Sequence, residues 1–165
     1  MKNLFLIAII VLGFSVSSNA IEPVATASTT ATLVAPLTIA KTTDMNFGTV
    51  AGSNALSSIV LGYTSNLTPS AGAYVIGGTA TSAVFTVTGS LAESISVSIP
   101  ALPISLTGTT TGMTVSDFVA DCGTTTTLVS GTKVITIGAK LNIPANAAAG
   151  TYSNAVGLSV TVNYN

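Results

Sequence analysis

Apolar and polar side chains alternate along the last part of the chain, from Gly150 to Asn165. From Val156 onward the larger apolar residues fall at every second position, and glycine, serine, threonine or asparagine lies between them. A period of two residues is that of a β-strand with one buried face. The pattern therefore predicts a long terminal strand over residues 150–165, whose buried face carries Leu158, Val160, Val162 and Tyr164.

A second alternating stretch, with smaller side chains, lies near the start of the chain. Threonine and serine occupy the even positions from 26 to 32, whereas the odd positions are mostly alanine. Pro36 interrupts the stretch, because proline lacks an N–H group and constrains the residue before it. The pattern predicts an extended segment that ends at Pro36 and carries Ala25, Ala27, Thr29, Ala31, Leu33 and Ala35 on one face.

Between these two stretches, runs rich in β-branched residues recur about every ten residues, with turn residues between them, as in a sandwich or barrel. No window offers a convincing helical period, because glycine interrupts every long one. We therefore predict an all-β sandwich, in which residues 68–72 form a turn and residues 121–128 an exposed excursion. The predicted strands are Met45–Val50, Ser57–Tyr63, Ala73–Ile76, Ala80–Thr88, Ser94–Ile99, Ile104–Leu106, Met113–Ala120 and Lys133–Ile143.

The first twenty residues have the organisation of a secretory signal peptide. Lys2 precedes an apolar run that is too short to span a bilayer, and small residues follow it, so we expect cleavage between Ala20 and Ile21. An uncleaved anchor is the alternative. Cleavage leaves 165 minus 20, or 145 residues, the size of one domain. We predict an extended segment over residues 21–36, a β-sandwich domain over residues 37–165, and no membrane span in the secreted chain.

Charge is scarce throughout the sequence: 5% of the residues are charged, and arginine and histidine are absent. Nucleic acid is excluded as a partner on this ground, because phosphate binding needs clustered cations. Soluble proteins usually keep more surface charge to resist association. The composition is therefore a weak indication of a surface that becomes covered by other subunits.

The same scarcity leaves little material for a catalytic or metal site. Without histidine, and with Cys122 as the single cysteine, no zinc or iron–sulfur site can be assembled. The few acidic residues fall in no recognisable catalytic motif. We predict no enzyme activity, no catalytic residue, no metal and no cofactor. Cys122 is expected to act as a small buried hydrophobe, and a cross-link between subunits is the less favoured alternative.

Six short motifs, in their order and spacing, resemble a family of secreted bacterial proteins known as domain of unknown function 4402. The resemblance covers nearly the whole chain after the signal peptide. The opening and ending are also similar, more distantly, to spore-coat-U and archaic chaperone–usher pilins, although the paired cysteines common in those pilins are absent here. The motifs are Pro36-Leu-Thr-Ile, Asp44-Met-Asn-Phe-Gly-Thr, Phe85-Thr-Val-Thr-Gly, Gly112-Met-Thr-Val, Ala149-Gly-Thr-Tyr-Ser and Val160-Thr-Val-Asn-Tyr.

The resemblance to those pilins implies an immunoglobulin-like sandwich that lacks one strand and is completed by the N-terminal segment of a neighbouring subunit. Such strand addition uses main-chain hydrogen bonds for affinity and pockets for alternate side chains for register. The donor would be about residues 26–35, with Ala27, Thr29, Ala31, Leu33 and Ala35 facing the acceptor. The acceptor edge would carry Leu158, Val160, Val162 and Tyr164.

Two functions therefore remain open from the sequence. The first is a secreted structural subunit of a surface fibre or pilus, which passes through the periplasm and assembles with itself or with related pilin subunits, with the help of a periplasmic chaperone and an usher. In the second, residues 25–39 pair within their own domain, and the chain is a monomeric secreted binding or adhesion module.

Overall fold

The longest strand, over Thr132–Ile143, is the centre of the fold. A computed structural model describes residues 22–70 and 72–165, and within these residues it contains twelve strands and no helix. The strands are β1 (Thr38–Thr43), β2 (Thr49–Ala51), β3 (Ser57–Leu61), β4 (Leu67–Ser70), β5 (Tyr74–Gly77), β6 (Ala83–Thr88), β7 (Ser94–Ser98), β8 (Ile104–Ser105), β9 (Thr114–Ala120), β10 (Thr125–Thr127), β11 (Thr132–Ile143) and β12 (Thr161–Tyr164).

Strand β11 organises the larger of the sheets. Its residues 132–137 pair with β6, and its residues 139–143 pair with β3. Strand β9 pairs with residues 137–142 of β11, on the edge opposite to both β6 and β3. Strand β1 extends this sheet beyond β6, β4 extends it beyond β3, and β8 extends it beyond β9. The smaller sheets have the orders β10-β7-β12 and β2-β5.

Two apolar clusters lie along β11, which alternates as the sequence predicts. The upper core joins Phe85 and Ile135 of the large sheet to Ile95 and Val97 of the β10-β7-β12 sheet. The lower core contains Ile59, Met113, Val115, Leu141 and Ile143. Two sheets that bury their facing side chains against each other form a sandwich. The prediction of an all-β, sandwich-like fold is confirmed.

The terminal strand is shorter than predicted. Residues 150–160 belong to no strand, apart from a single bridge between Ser153 and Thr107, and pairing begins only at Thr161. The side chain of Asn154 accepts a hydrogen bond from the backbone N–H of Gly157, which has a φ of 73°. Asn and Gly favour such a local turn, and a positive φ interrupts a strand. The prediction of one unbroken strand over residues 150–165 was therefore wrong.

Two other segments correct the predicted turns. Residues 68–72 were expected to form a turn, but β4 extends to Ser70 and pairs with β3. The predicted excursion over residues 121–128 contains β10, which pairs with β7, and Leu128 at its end is fully buried. Both segments are rich in hydroxyl side chains, so they show no apolar alternation from which a strand could be predicted. Threonine nevertheless forms strands well where the pleated surface of the sheet is half covered.

The N-terminal part of the chain forms a unit of its own by internal contacts, whose described residues are 22–32. These residues are exposed and belong to no strand. The unit from Leu33 to Asn165 carries all the strands described above. The proposed signal peptide lies outside the described residues, and the division into a segment over 21–36 and a domain over 37–165 stays a prediction.

Candidate functional site

Several strands pair on one side only in the described part of the chain, and two of them, β1 and β12, belong to different sheets. Within residues 22–70 and 72–165, β1 pairs only with β6, and β12 pairs only with β7. Such an edge presents a row of backbone N–H and C=O groups that can pair with another strand. The two open edges face the same upper core, because side chains from both strands pack against it.

Side chains from both strands, and from the residues before β12, pack against the upper core between these edges. Leu37 and Ile39 approach the upper core from the β1 side. From the β12 side come the four predicted acceptor residues, which pack against the same core and are all only partly buried. The residues at these positions are Leu158, Val160, Val162 and Tyr164.

An open cavity of about 950 Å³ lies against the lower core. Residues 41–52, which continue from β1, line one side, and residues 147–158, which lead into β12, line the other. The apolar and aromatic side chains that line the cavity include Met45, Phe47, Leu106, Met113, Leu141 and Tyr152. We call the whole space, bounded by residues 37–52 and 147–164, the groove.

The groove is almost free of charge. Of the side chains that line its cavity, only Lys41 and Asp44 are charged, and they form an ion pair with each other at 2.5 Å on the exposed rim. An exposed pair of this kind contributes little to stability. A ligand that fills the groove would therefore meet apolar side chains, uncharged polar side chains and backbone groups.

A tyrosine fixes the rim of the lower half. The hydroxyl of Tyr152 accepts a hydrogen bond from the backbone N–H of Thr110 at 3.2 Å and donates one to the carbonyl oxygen of Ala148 at 2.6 Å. These bonds tie the segment over residues 147–152 to the loop over residues 108–112. Sequence analysis missed Tyr152 as a site residue, although the Gly-Thr-Tyr motif that contains it was the available signal.

The predicted donor residues separate into two groups. Ala27, Thr29, Ala31 and Leu33 are exposed, and Leu33 is 97% exposed. Ala35 is different, because its N–H donates to the hydroxyl of Ser90 at 2.5 Å and its carbonyl oxygen accepts from the hydroxyl of Tyr164 at 2.8 Å. The structure therefore joins one predicted donor residue to one predicted acceptor residue of the same chain.

The single cysteine lies outside the groove. Cys122 is half-buried, and its side chain packs against the upper core. Burial, and then the nearby carboxylate of Asp121, raises the pKa of the thiol above its usual value. A raised pKa lowers the fraction of reactive thiolate at neutral pH.

We therefore expect Cys122→Ala to change the free energy of unfolding by about 1 kcal/mol or less, since the side chain is small and only half-buried. Any assembly should be unchanged. Alkylation of the wild-type thiol by iodoacetamide, followed by mass spectrometry, should be slow at neutral pH and should accelerate as the pH rises. Loss of assembly in the Cys122→Ala variant under oxidising conditions would instead reveal a disulfide between subunits.

Other kinds of site find no support in the part of the chain that the structure describes. No group of three or more histidine, cysteine, aspartate or glutamate side chains is placed to hold a metal ion there. A search of the same residues finds no helix with the length and apolar character needed to cross a membrane.

The fold and the groove together define an all-β, sandwich-like domain with an open, nearly uncharged cleft lined by residues from the segments 41–52 and 147–158. The chain belongs to the family described as domain of unknown function (DUF4402), whose model matches residues 37–164. The matched region begins directly after Pro36 and includes both sides of the groove. Neither the comparison with curated proteins nor the comparison with solved structures gave a match.

Proposed function

We propose that this protein is a secreted structural subunit of a cell-surface fibre or pilus, which assembles by adding the N-terminal segment of one copy to the groove of the next. The observation that carries the proposal is the groove itself, an open and nearly uncharged cleft beside β1 and the segment that leads into β12. Within the described residues, each of these two strands pairs on one side only. A strand inserted there would pair with both edges and cover the exposed faces of the upper and lower cores.

The composition of the N-terminal segment supports it as the occupant. Residues 23–36 carry no charge, which matches a groove whose only charged lining residues neutralise each other. About ten residues in extended conformation span roughly 33 Å. Small side chains on one face let the inserted backbone approach both edges closely.

Assembly by such an exchange has no natural end. Each copy offers one segment and one groove, so the contact is head-to-tail and propagates into a fibre instead of closing into a ring of two. The likeness of the opening and closing motifs to spore-coat-U and archaic chaperone–usher pilins supports the same proposal. It also supports a related pilin subunit as an alternative neighbour, and a periplasmic chaperone and an usher as transient partners.

The test is to delete residues 21–34 from the secreted chain. We expect the wild-type protein to form fibres in negative-stain electron micrographs, and the deletion variant to form none while it still binds a peptide of residues 22–36, because its groove is intact. Peptide binding can be followed by fluorescence anisotropy, with a peptide of the same composition in scrambled order as the control.

The monomeric alternative predicts a different result. If residues 25–39 close their own domain, wild-type protein stays monomeric and the deletion variant unfolds, because a strand of the core has been removed. A wild-type monomer together with an unfolded deletion variant would therefore replace the fibre proposal by a secreted binding module.

A further inference from the structure

We propose that Tyr164 and Ser90 act as a clamp on Ala35, and that this clamp directs the N-terminal segment to the groove of a second copy by preventing the segment from entering its own. This inference rests on the proposed function, because it concerns which copy's segment fills the groove. It assigns Tyr164 and Ser90 as positioning residues for the exchange.

The clamp is a closed set of three hydrogen bonds. The N–H of Ala35 donates to the hydroxyl of Ser90 at 2.5 Å, the N–H of Ser90 donates to the hydroxyl of Tyr164 at 2.7 Å, and that hydroxyl donates to the carbonyl oxygen of Ala35 at 2.8 Å. Both backbone groups of Ala35 are thus held by side chains. They are not available for pairing with a strand edge.

The residue beside Ser90 is Gly89, whose lack of a Cβ atom leaves room for this arrangement. A Cβ atom on Gly89 would collide with the Tyr164 hydroxyl and would lie 2.9 Å from both Leu37 Cδ1 and Leu128 Cδ1, closer than such atoms approach in folded proteins. The glycine therefore allows the tyrosine hydroxyl to reach between the backbone of Ser90 and that of Ala35.

The position of the clamp matters because the chain would have to reverse there to enter its own groove. The segment precedes β1 directly, so it could lie beside the open edge of β1 only after a tight turn near Ala35 and Pro36. Two-residue turns between antiparallel strands require a positive φ at the first central residue, or at both. Proline cannot adopt a positive φ, and Ala35 lies outside the left-handed region in this structure.

A wider turn would need to release the same contacts. Such a turn would have to include Leu37, whose side chain packs against the upper core. It would also have to break the hydrogen bonds of Ala35 to Ser90 and Tyr164. While these hydrogen bonds are intact, the groove of a copy remains available to the N-terminal segment of another copy. Loosening the clamp should therefore favour self-insertion over exchange.

The experiment compares full-length secreted chains that carry Tyr164→Phe or Tyr63→Phe. Tyr164→Phe keeps the aromatic ring in the upper core and removes the hydroxyl that bonds Ala35 and Ser90. Tyr63→Phe is the matched control, because Tyr63 is half-exposed and does not line the groove. Three quantities are measured at a temperature at which circular dichroism shows every variant to be folded: the fibre mass, the amount of folded monomer, and the uptake of a labelled peptide of residues 22–36 by that monomer.

We expect Tyr164→Phe to lower the fibre mass several-fold and to yield a folded monomer that takes up little peptide, because its own segment occupies the groove. Adding Leu33→Asp to the Tyr164→Phe chain should restore peptide uptake, since a carboxylate on the own segment keeps that segment out. Tyr63→Phe should assemble as wild type does. A role of the hydroxyl in stability alone would lower the unfolding temperature without creating a peptide-refractory monomer.

Two results overturn the inference, and they differ from failure of the proposed function. If wild-type chains form fibres and Tyr164→Phe chains form them equally well, the clamp does not direct the segment. If Tyr164→Phe monomers accumulate but take up peptide as readily as wild-type monomers do, the segment has not entered its own groove. Absence of fibres from the wild type itself would count against the proposed function.

Discussion

Replacing Leu33 by aspartate should abolish fibre formation while leaving the subunit folded. Among the residues of its parity from Ala25 to Ala35, Leu33 alone has a large side chain, and it is 97% exposed. Burying a leucine is worth about 1.5–3 kcal/mol, and placing a carboxylate in the same apolar site costs several kcal/mol more. Electron microscopy and sedimentation of the secreted chain measure the loss of assembly directly.

The exposure of Leu33 makes this a clean test of assembly. A substitution at an exposed position changes the free energy of unfolding by about 0.5 kcal/mol or less, so the Leu33→Asp monomer should unfold at nearly the wild-type temperature. It should also accept a wild-type peptide of residues 22–36 added in trans, because its groove is unchanged.

Thr32→Asp is the matched control for charge. Thr32 is also exposed and adjacent in sequence, but in an extended segment it points to the opposite face. We expect Thr32→Asp to assemble far better than Leu33→Asp does. Equal damage by the two substitutions, or a Leu33→Asp chain that unfolds and is not rescued by peptide, would contradict strand exchange and make Leu33 an ordinary core residue.

The sequence predicts those parts of the fold whose side chains alternate between apolar and polar. In β11 the apolar residues of one parity, from Ile135 to Ile143, are all buried, as the pattern indicates. Strand β4 and strand β10 escaped prediction for the opposite reason. Leu67–Ser70 and Thr125–Thr127 offer hydroxyl side chains, a proline and little apolar contrast, and they become strands because a neighbouring strand is present to pair with them.

Only part of the groove could be predicted from local sequence patterns. Its upper half follows from the alternation of Leu158, Val160, Val162 and Tyr164, which survives even though pairing begins only at Thr161. Its lower half is built from loops that are distant in sequence, such as those that carry Phe47 and Met113. No pattern within one segment indicates that such loops meet.

The clamp on Ala35 is the extreme case of a feature that only tertiary structure reveals. Its hydrogen bonds join residues that are 55, 74 and 129 positions apart. The resemblance to pilins placed Ala35 in the donor and Tyr164 in the acceptor, and the alternating pattern placed each on a face of its segment. Neither says whether the two residues that contact each other belong to one copy or to two. A sequence period reports which face a side chain lies on, and the identity of the partner depends on contacts between segments.

The second large effect concerns the sandwich itself. Ile135 lies in the first half of β11, opposite Phe85 of β6, and its side chain is fully buried in the upper core. We expect Ile135→Ala to lower the free energy of unfolding by about 2–5 kcal/mol, because the substitution removes buried methyl groups and leaves a cavity between the two sheets. A loss of this size is a large part of the stability of a typical domain.

Urea denaturation followed by circular dichroism measures the effect, in the Leu33→Asp background so that assembly does not stabilise the folded state. Val134→Ala is the control, because Val134 is the preceding residue of β11, lies on the opposite face and is 50% exposed. Its removal should cost about 1 kcal/mol or less, within the range of strand propensity. If the two substitutions were equally destabilising, β11 would not bury one face between two sheets. The upper and lower cores against which the groove lies would then not be formed as described.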